Sequence, residues 1–158
     1  MTSTMESIAN PPMPPALHHF FDERNFAHVA VRVLGGDVLH STPMWVDRDG
    51  DVPLINTKVG RLVERSLRLD PHLSLSIHAH SNPYSFVQVR GIAEMTEEGA
   101  DEHIQSLAQR YLGGPYPYTG PQMNRIIIHV RKAKFLHRAP PPFSLDHYRS
   151  DPERGREE

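Results

Sequence analysis

Asn56-Thr57-Lys58-Val59-Gly60-Arg61-Leu62-Val63-Glu64-Arg65-Ser66-Leu67-Arg68-Leu69-Asp70-Pro71 is the stretch that decides how the chain is read. It begins as the end of a strand and turns into a short amphipathic helix. Val59, Leu62, Val63 and Leu67 recur at helical spacing and form one apolar face. Lys58, Arg61, Arg65 and Arg68 crowd the other surface and the entry turn. Glu64 precedes Arg68 by four residues, the favourable order for an ion pair on a helix surface. Pro71 pushes Asp70 out of the helical region and ends the helix. A glycine in the turn, N–H groups at a helix start and several fixed cations suit an anion. The plainer reading is a solvated basic face on a surface helix.

Upstream, Val52 to Thr57 reads as a third strand, reached through Asp47-Arg48-Asp49-Gly50-Asp51. Asp49-Gly50 is a hairpin signal. The acids there do not make a calcium loop, which needs a downstream glutamate and flanking helices. Val38 to Val46 is a second strand, with Pro43 at an edge or bulge. Phe26 to Val33 alternates, with Ala27, Val29, Val31 and Val33 on one side and His28 and Arg32 on the other. Gly35-Gly36-Asp37 supplies the turn between them. Ala16 to Glu23 has room for one or two helical turns, with His18 and His19 as a surface pair.

Downstream, His72 to His80 sends Leu73, Leu75, Ile77 and Ala79 inward and Ser74, Ser76, His78 and His80 outward. Ser81-Asn82-Pro83 turns the chain into a long strand from Tyr84 to Met95, where Gly91 marks a bulge or a close backbone approach. Thr96 is the expected cap of a second helix with Glu97 and Glu98 in its first turn. Ala100, Ile104, Leu107, Ala108 and Tyr111 are its stripe, and Gly113-Gly114 its end. Pro115 to Pro121 is a loop with Tyr116 and Tyr118. Asn124 to Arg131 is the last strong strand, with Ile126, Ile128 and Val130 inward and Lys132 to Arg138 as its continuation. Some six strands joined by hairpins, with two main helices, predict a mostly antiparallel α+β domain or barrel. A dinucleotide fingerprint, a P-loop and a Gly-x-Ser-x-Gly elbow are all missing.

The 158 residues suit one domain. Residues 1–15 read as a flexible proline-rich segment, 16–139 as the domain, and 140–158 as a proline-rich and then charged tail. With 17 Lys+Arg against 19 Asp+Glu the formal net charge is -2, so no global basic excess points to nucleic acid. The absence of cysteine excludes disulfides, thiolate metal sites and a cysteine nucleophile, and suits a cytoplasmic location. No apolar run is long enough to span a bilayer and no signal-peptide segment is visible. Eleven histidines raise the question of metal or haem. His78 and His80 share a face, but no third ligand lies near in sequence, so no metal is expected.

Several strings taken in order resemble the pyridoxamine 5′-phosphate oxidase-like split-barrel superfamily, and within it the branch that uses the deazaflavin coenzyme F420. They are Asn25-Phe26-Ala27-His28-Val29-Ala30, Thr42-Pro43-Met44-Trp45, Thr57 to Leu67 with Arg68-Leu69-Asp70-Pro71, Asn82-Pro83-Tyr84, Val89-Arg90-Gly91 and Tyr111-Leu112-Gly113. The resemblance implies a six-stranded split β-barrel that pairs into a homodimer, with the cofactor in a groove between protomers. It places the cofactor ring near Pro43, Met44 and Trp45. It places the phosphate against the turn and helix, with Asn56, Thr57, Lys58, Gly60, Arg61 and Arg65 as its neighbours. Ser76 and His78 then face cofactor or partner, and Tyr84 joins the cofactor-binding set; Tyr84 and Tyr116 are also candidate acids, but no catalytic residue is assigned. The implied reaction is hydride transfer between the reduced coenzyme and an electron-poor small acceptor. The chain departs from the family at Val63, where a lysine commonly meets the phosphate, and at Ser66, commonly asparagine. The alternatives are an FMN-binding oxidoreductase of the same fold and a non-catalytic cofactor- or haem-binding protein.

Overall fold

A computed structural model describes residues 10–118 and 120–138, omitting the side chains of residues 121 and 122. Six strands close into an antiparallel barrel: β1 (Phe26–Arg32), β2 (Leu39–Asp49), β3 (Val52–Lys58), β4 (His72–Ala79), β5 (Asn82–Thr96) and β6 (Arg125–Arg138). Their order around the barrel is β1-β2-β3-β6-β5-β4, with β4 pairing back to β1. Three α-helices accompany them, α1 (His18–Asp22), α2 (Leu62–Leu69) and α3 (Ala100–Leu112). This is the split-barrel architecture. Among the described residues no helix is long and apolar enough to cross a membrane.

The alternation read from sequence fills the interior. Ala27, Val29 and Val31 of β1 meet Leu73, Leu75 and Ile77 of β4, Val87 and Val89 of β5, and Ile128 and Val130 of β6. β3 does not alternate, and five consecutive residues from Pro53 to Thr57 are buried. Ile55 points into the barrel, whereas Leu54 packs outside it with Ala100 of α3 and Ile127 of β6. α3 therefore roofs the β3–β6 pair and makes both of its faces apolar. α2 contributes Val63 and Leu67 to the main core.

Packing begins before residue 16. Met13 is buried in the main core beside Leu17, Phe20 and Phe21, so the proline-rich segment is tied down at its end. His18 is not a plain surface residue either, since its Nε2 is buried without a hydrogen-bond partner among the described residues. Residues 139–158 lie outside the described residues.

Four local readings shift by a few residues. The β4–β5 turn is His80-Ser81, since Asn82 already pairs with Ala79 and Asn82-Pro83 begin β5. Asp49 pairs with Val52, so the hairpin turn is Gly50-Asp51, with Gly50 at φ +57. Thr96 ends β5 and bonds His129 through its hydroxyl; Gly99 caps α3 in the left-handed conformation, and Asp101 and Glu102 fill its first turn. The φ of +74 at Gly99 accounts for the delayed start, because a non-glycine residue there would be strained. Val59 precedes α2, which starts only at Leu62.

Gly91 sits where the β5–β6 register shifts, between Arg90 and Ile92. A Cβ there would lie 2.6 Å from both the Arg131 carbonyl oxygen and Val130 Cγ1. The opposing strand bulges at Lys132, whose φ is +51. Gly91→Ala should therefore cost about 1–3 kcal/mol of stability through overpacking. Urea unfolding of the two proteins side by side checks this, and an unchanged midpoint contradicts it.

Candidate cofactor site

The β1–β2 ladder sets one wall. Phe26 lies opposite Trp45, and His28 opposite Pro43. The Trp45 ring stacks on Tyr111 at 5.0 Å between centroids and 10° between planes. Tyr116 meets its edge at 6.3 Å and 82°. The Tyr111 hydroxyl donates to the Asn25 carbonyl and accepts from the Val46 N–H, which fixes the ring under Trp45. Burial, partly offset by the bond to the Val46 backbone, raises the Tyr111 pKa.

Asn56 of β3 sets the floor. Its Nδ2 donates to the Ala100 carbonyl at 2.9 Å, and its Oδ1 accepts from Arg125 Nε at 2.8 Å. A carbonyl only accepts and a guanidinium only donates, so these two bonds fix the amide orientation. The second amide hydrogen goes to His103 Nδ1 at 3.1 Å. Nδ1 is therefore an acceptor, and His103 presents its Nε2–H to Asp47 Oδ2 at 3.0 Å. Asp47 also pairs with Arg110 at 3.2 Å. Burial raises the Asp47 pKa, but the His103 bond, the Arg48 backbone and the Arg110 charge outweigh it, and the net shift is downward.

Arg125 opens β6 and is 4% exposed. Besides Asn56 it reaches the Tyr116 hydroxyl at 3.3 Å, and its guanidinium lies 5.2 Å from the Tyr116 ring centroid. Desolvation lowers its pKa, and the Arg61 charge lowers it further. Tyr116 is held to α3 by its N–H, which donates to Gln105 Oε1 at 2.9 Å.

These groups surround a cavity of about 560 Å³. Pro43, Met44, Trp45, Asn56 and Arg61, all expected from sequence, line it together with Phe26, Ile104, Leu112, Tyr116, Pro117, Tyr118 and Arg125. The other expected residues lie elsewhere. Thr57 is buried and Lys58 is half-buried, paired with Arg125 in the ladder. Arg65 is exposed on α2, and Tyr84 is half-buried near the start of β5; neither lines this cavity. His78 joins His28, His80 and Asn25 around a smaller cavity of about 240 Å³ that shares Phe26 and Pro43 with the first. Ser76 pairs with His28 and Gln88 on the same outer face. Among the described residues no three His, Asp or Glu side chains assemble as metal ligands.

The turn at the head of α2 differs most from expectation. The Gly60 N–H, at φ +92, donates to Glu64 Oε2 at 3.0 Å. The Val59 and Arg61 N–H groups are bound by the Asn124 and Lys58 carbonyls. Glu64, 2% exposed, also pairs with Arg68, so this is a buried carboxylate rather than a surface partner. The turn holds an anion of its own making. Arg125, Tyr118 and Phe26 escaped the sequence reading; the signal for Arg125 was a guanidinium opening an otherwise apolar Ile126-Ile127-Ile128 strand.

The fold is that of the pyridoxamine 5′-phosphate oxidase-like split barrels. A solved F420 reductase superposes with a TM-score of 0.68 at 25% identity, covering 78% of this chain and 98% of that one. A pyridoxamine 5′-phosphate oxidase-type protein from Listeria innocua gives 0.61 at 16% identity, over 77% and 94% of the two chains. The flavocytochrome Anf3 from Azotobacter vinelandii gives 0.59 at 18% identity, over 89% and 74%. No family model and no curated sequence matches the chain.

The Asp47 shift has a pH consequence. A lowered folded pKa stabilises the fold above the unfolded value of 3.8, and that contribution disappears as pH falls through the folded value. Asp47→Asn should cost about 1–3 kcal/mol at neutral pH and flatten the acid limb of stability below about pH 4. Urea unfolding from pH 3 to pH 7 reads both effects; an acid limb as steep as wild type contradicts the assignment.

Proposed function

We propose that the chain is an oxidoreductase that binds coenzyme F420 in the Trp45–Arg61 cavity and serves hydride transfer to an electron-poor small acceptor. The observation that carries this reading is the likeness to an F420 reductase across nearly that protein's whole length, coinciding with a cavity suited to the coenzyme. The cavity is within the usual size of small-molecule sites. Trp45, Phe26 and Pro43 offer flat apolar surface to a tricyclic ring, and Arg61 offers a charge to a phosphate.

When bound, the reduced coenzyme supplies the hydride. The protein orients and shields. Trp45, held by Tyr111, keeps one wall rigid. Tyr116, Pro117 and Tyr118 form the flanking wall that limits water. Tyr116 accepts from Arg125, which only donates, so its own hydroxyl proton is directed elsewhere. A second copy of the chain would complete the groove: Phe26 (46% exposed), Leu136 (52%) and Leu39 (76%) leave apolar surface on the outside of the barrel for it to cover.

An FMN-binding relative is the second reading, favoured by the likeness to a flavocytochrome. FMN also combines a flat ring with a phosphate, and a yellow protein as purified would select it.

Titration with purified F420 should give saturable binding below about 100 µM. Its absence rejects the coenzyme. Arg61→Ala should weaken binding by about 1–3 kcal/mol, and an unchanged affinity removes Arg61 from the site.

A further inference from the structure

Arg125 is a buried cation that no acid contacts; Asp101 acts on it only from beyond ion-pair distance. Among the described residues no carboxylate lies within ion-pair distance of it or of Arg61. Both side chains line the same cavity. A guanidinium that is 4% exposed carries a large desolvation cost, offset here by an amide oxygen, a phenol oxygen, an aromatic face and the more distant charge of Asp101. Two neighbouring positive charges raise that cost further. Placing an oxyanion between them removes it.

Arg125 is also pre-aimed. Asn56 holds Nε and Tyr116 holds Nη1, which fixes the plane of the fork and leaves Nη2 without a bond among the described residues. Nη2 is not among the sealed-off polar atoms that lack a partner. The fork therefore opens on the cavity in a set orientation, as recognition of phosphate or carboxylate requires. The turn at Gly60 offers no equivalent, because Glu64 already occupies it.

The geometry points to Arg125, with Arg61, as the oxyanion receptor of this cavity, taking over the task of the helix cation that Val63 lacks. This rests on the F420 reading only for the source of the oxyanion, the coenzyme phosphate. Asn56 is a positioning residue that aims Arg125.

Isothermal titration of wild type, Arg125→Gln and Arg125→Lys tests it, with F420, its phosphate-free deazaflavin core and sodium pyrophosphate as probes. Thermal melts without ligand establish that each variant is folded. Arg125→Gln should lose about ten-fold or more in affinity for F420 and at most about two-fold for the core. Arg125→Lys keeps the charge but not the fork and should fall between; it decides the matter if the glutamine variant is unfolded. An equal loss for F420 and core would make Arg125 a wall support and overturn the inference. So would an unchanged F420 affinity with an unchanged pyrophosphate response. An unchanged F420 affinity with pyrophosphate binding lost upholds the receptor and assigns the oxyanion to the acceptor molecule. If neither F420 nor core binds wild type, the coenzyme reading falls and pyrophosphate decides alone: heat stabilisation of wild type but not of Arg125→Gln upholds the receptor, and any other pattern overturns it.

Discussion

The Asn56 side chain is the point on which the site depends. One amide ties three elements: it donates to the first residue of α3, faces His103 one turn along, and accepts from the first residue of β6. Only an amide can do all three at this spot, because the partners demand one acceptor and two donors. A carboxylate would leave the Ala100 carbonyl facing an oxygen, and a leucine would strand Arg125. α3 is thus locked above the β3–β6 pair by the same group that aims the cavity's deepest charge. Behind it, Asp47 and Arg110 hold His103 and the end of β2 in place.

Charge placement follows a consistent logic around α2. A glycine turn at a helix start would ordinarily invite an external anion. Here the helix folds its own carboxylate back into that turn, and Arg68 neutralises it. The turn becomes a structural joint. Ser66 extends the joint: it accepts from the Leu34 N–H at 3.1 Å and so pins the strained turn after β1, where Leu34 adopts φ +47. With the turn satisfied internally, positive charge that no carboxylate contacts among the described residues remains on Arg61 and Arg125, which line the cavity.

The barrel was legible because period-two alternation is strong in β1, β4 and β6, and its connections carry glycine, proline or asparagine in or beside the turn. β3 was legible as a strand but not as a strand buried on both faces, since nothing local says that a helix forty residues on will cover it. The cavity was half legible. Pro43, Met44, Trp45, Asn56 and Arg61 come from one continuous hairpin and its exit, so their proximity is local. Arg125, Tyr116 and Tyr118 arrive from the far end of the chain, and only closure of β3 on β6 brings them in. Glu64 was misread because burial of a carboxylate depends on a donor, the Gly60 N–H, whose direction is set by a backbone angle rather than by a residue type.

The bulge at Gly91 and Lys132 bears on what lengths this chain tolerates. Before it, the residues of β6 that pack inward are even-numbered, Ile128 and Val130; after it they are odd-numbered, Ala133 and Phe135. The strand carries a frameshift, and Lys132 is the extra residue that absorbs it. Deleting Lys132 would return the strand to plain alternation with the same side chains inside. Deleting Arg131 would have the same effect on the pattern, whereas a deletion deeper in either half would shift that half by one residue and turn its faces over. Within the β5–β6 ladder a change of length is therefore best accommodated at this site, where a spare residue is already stored.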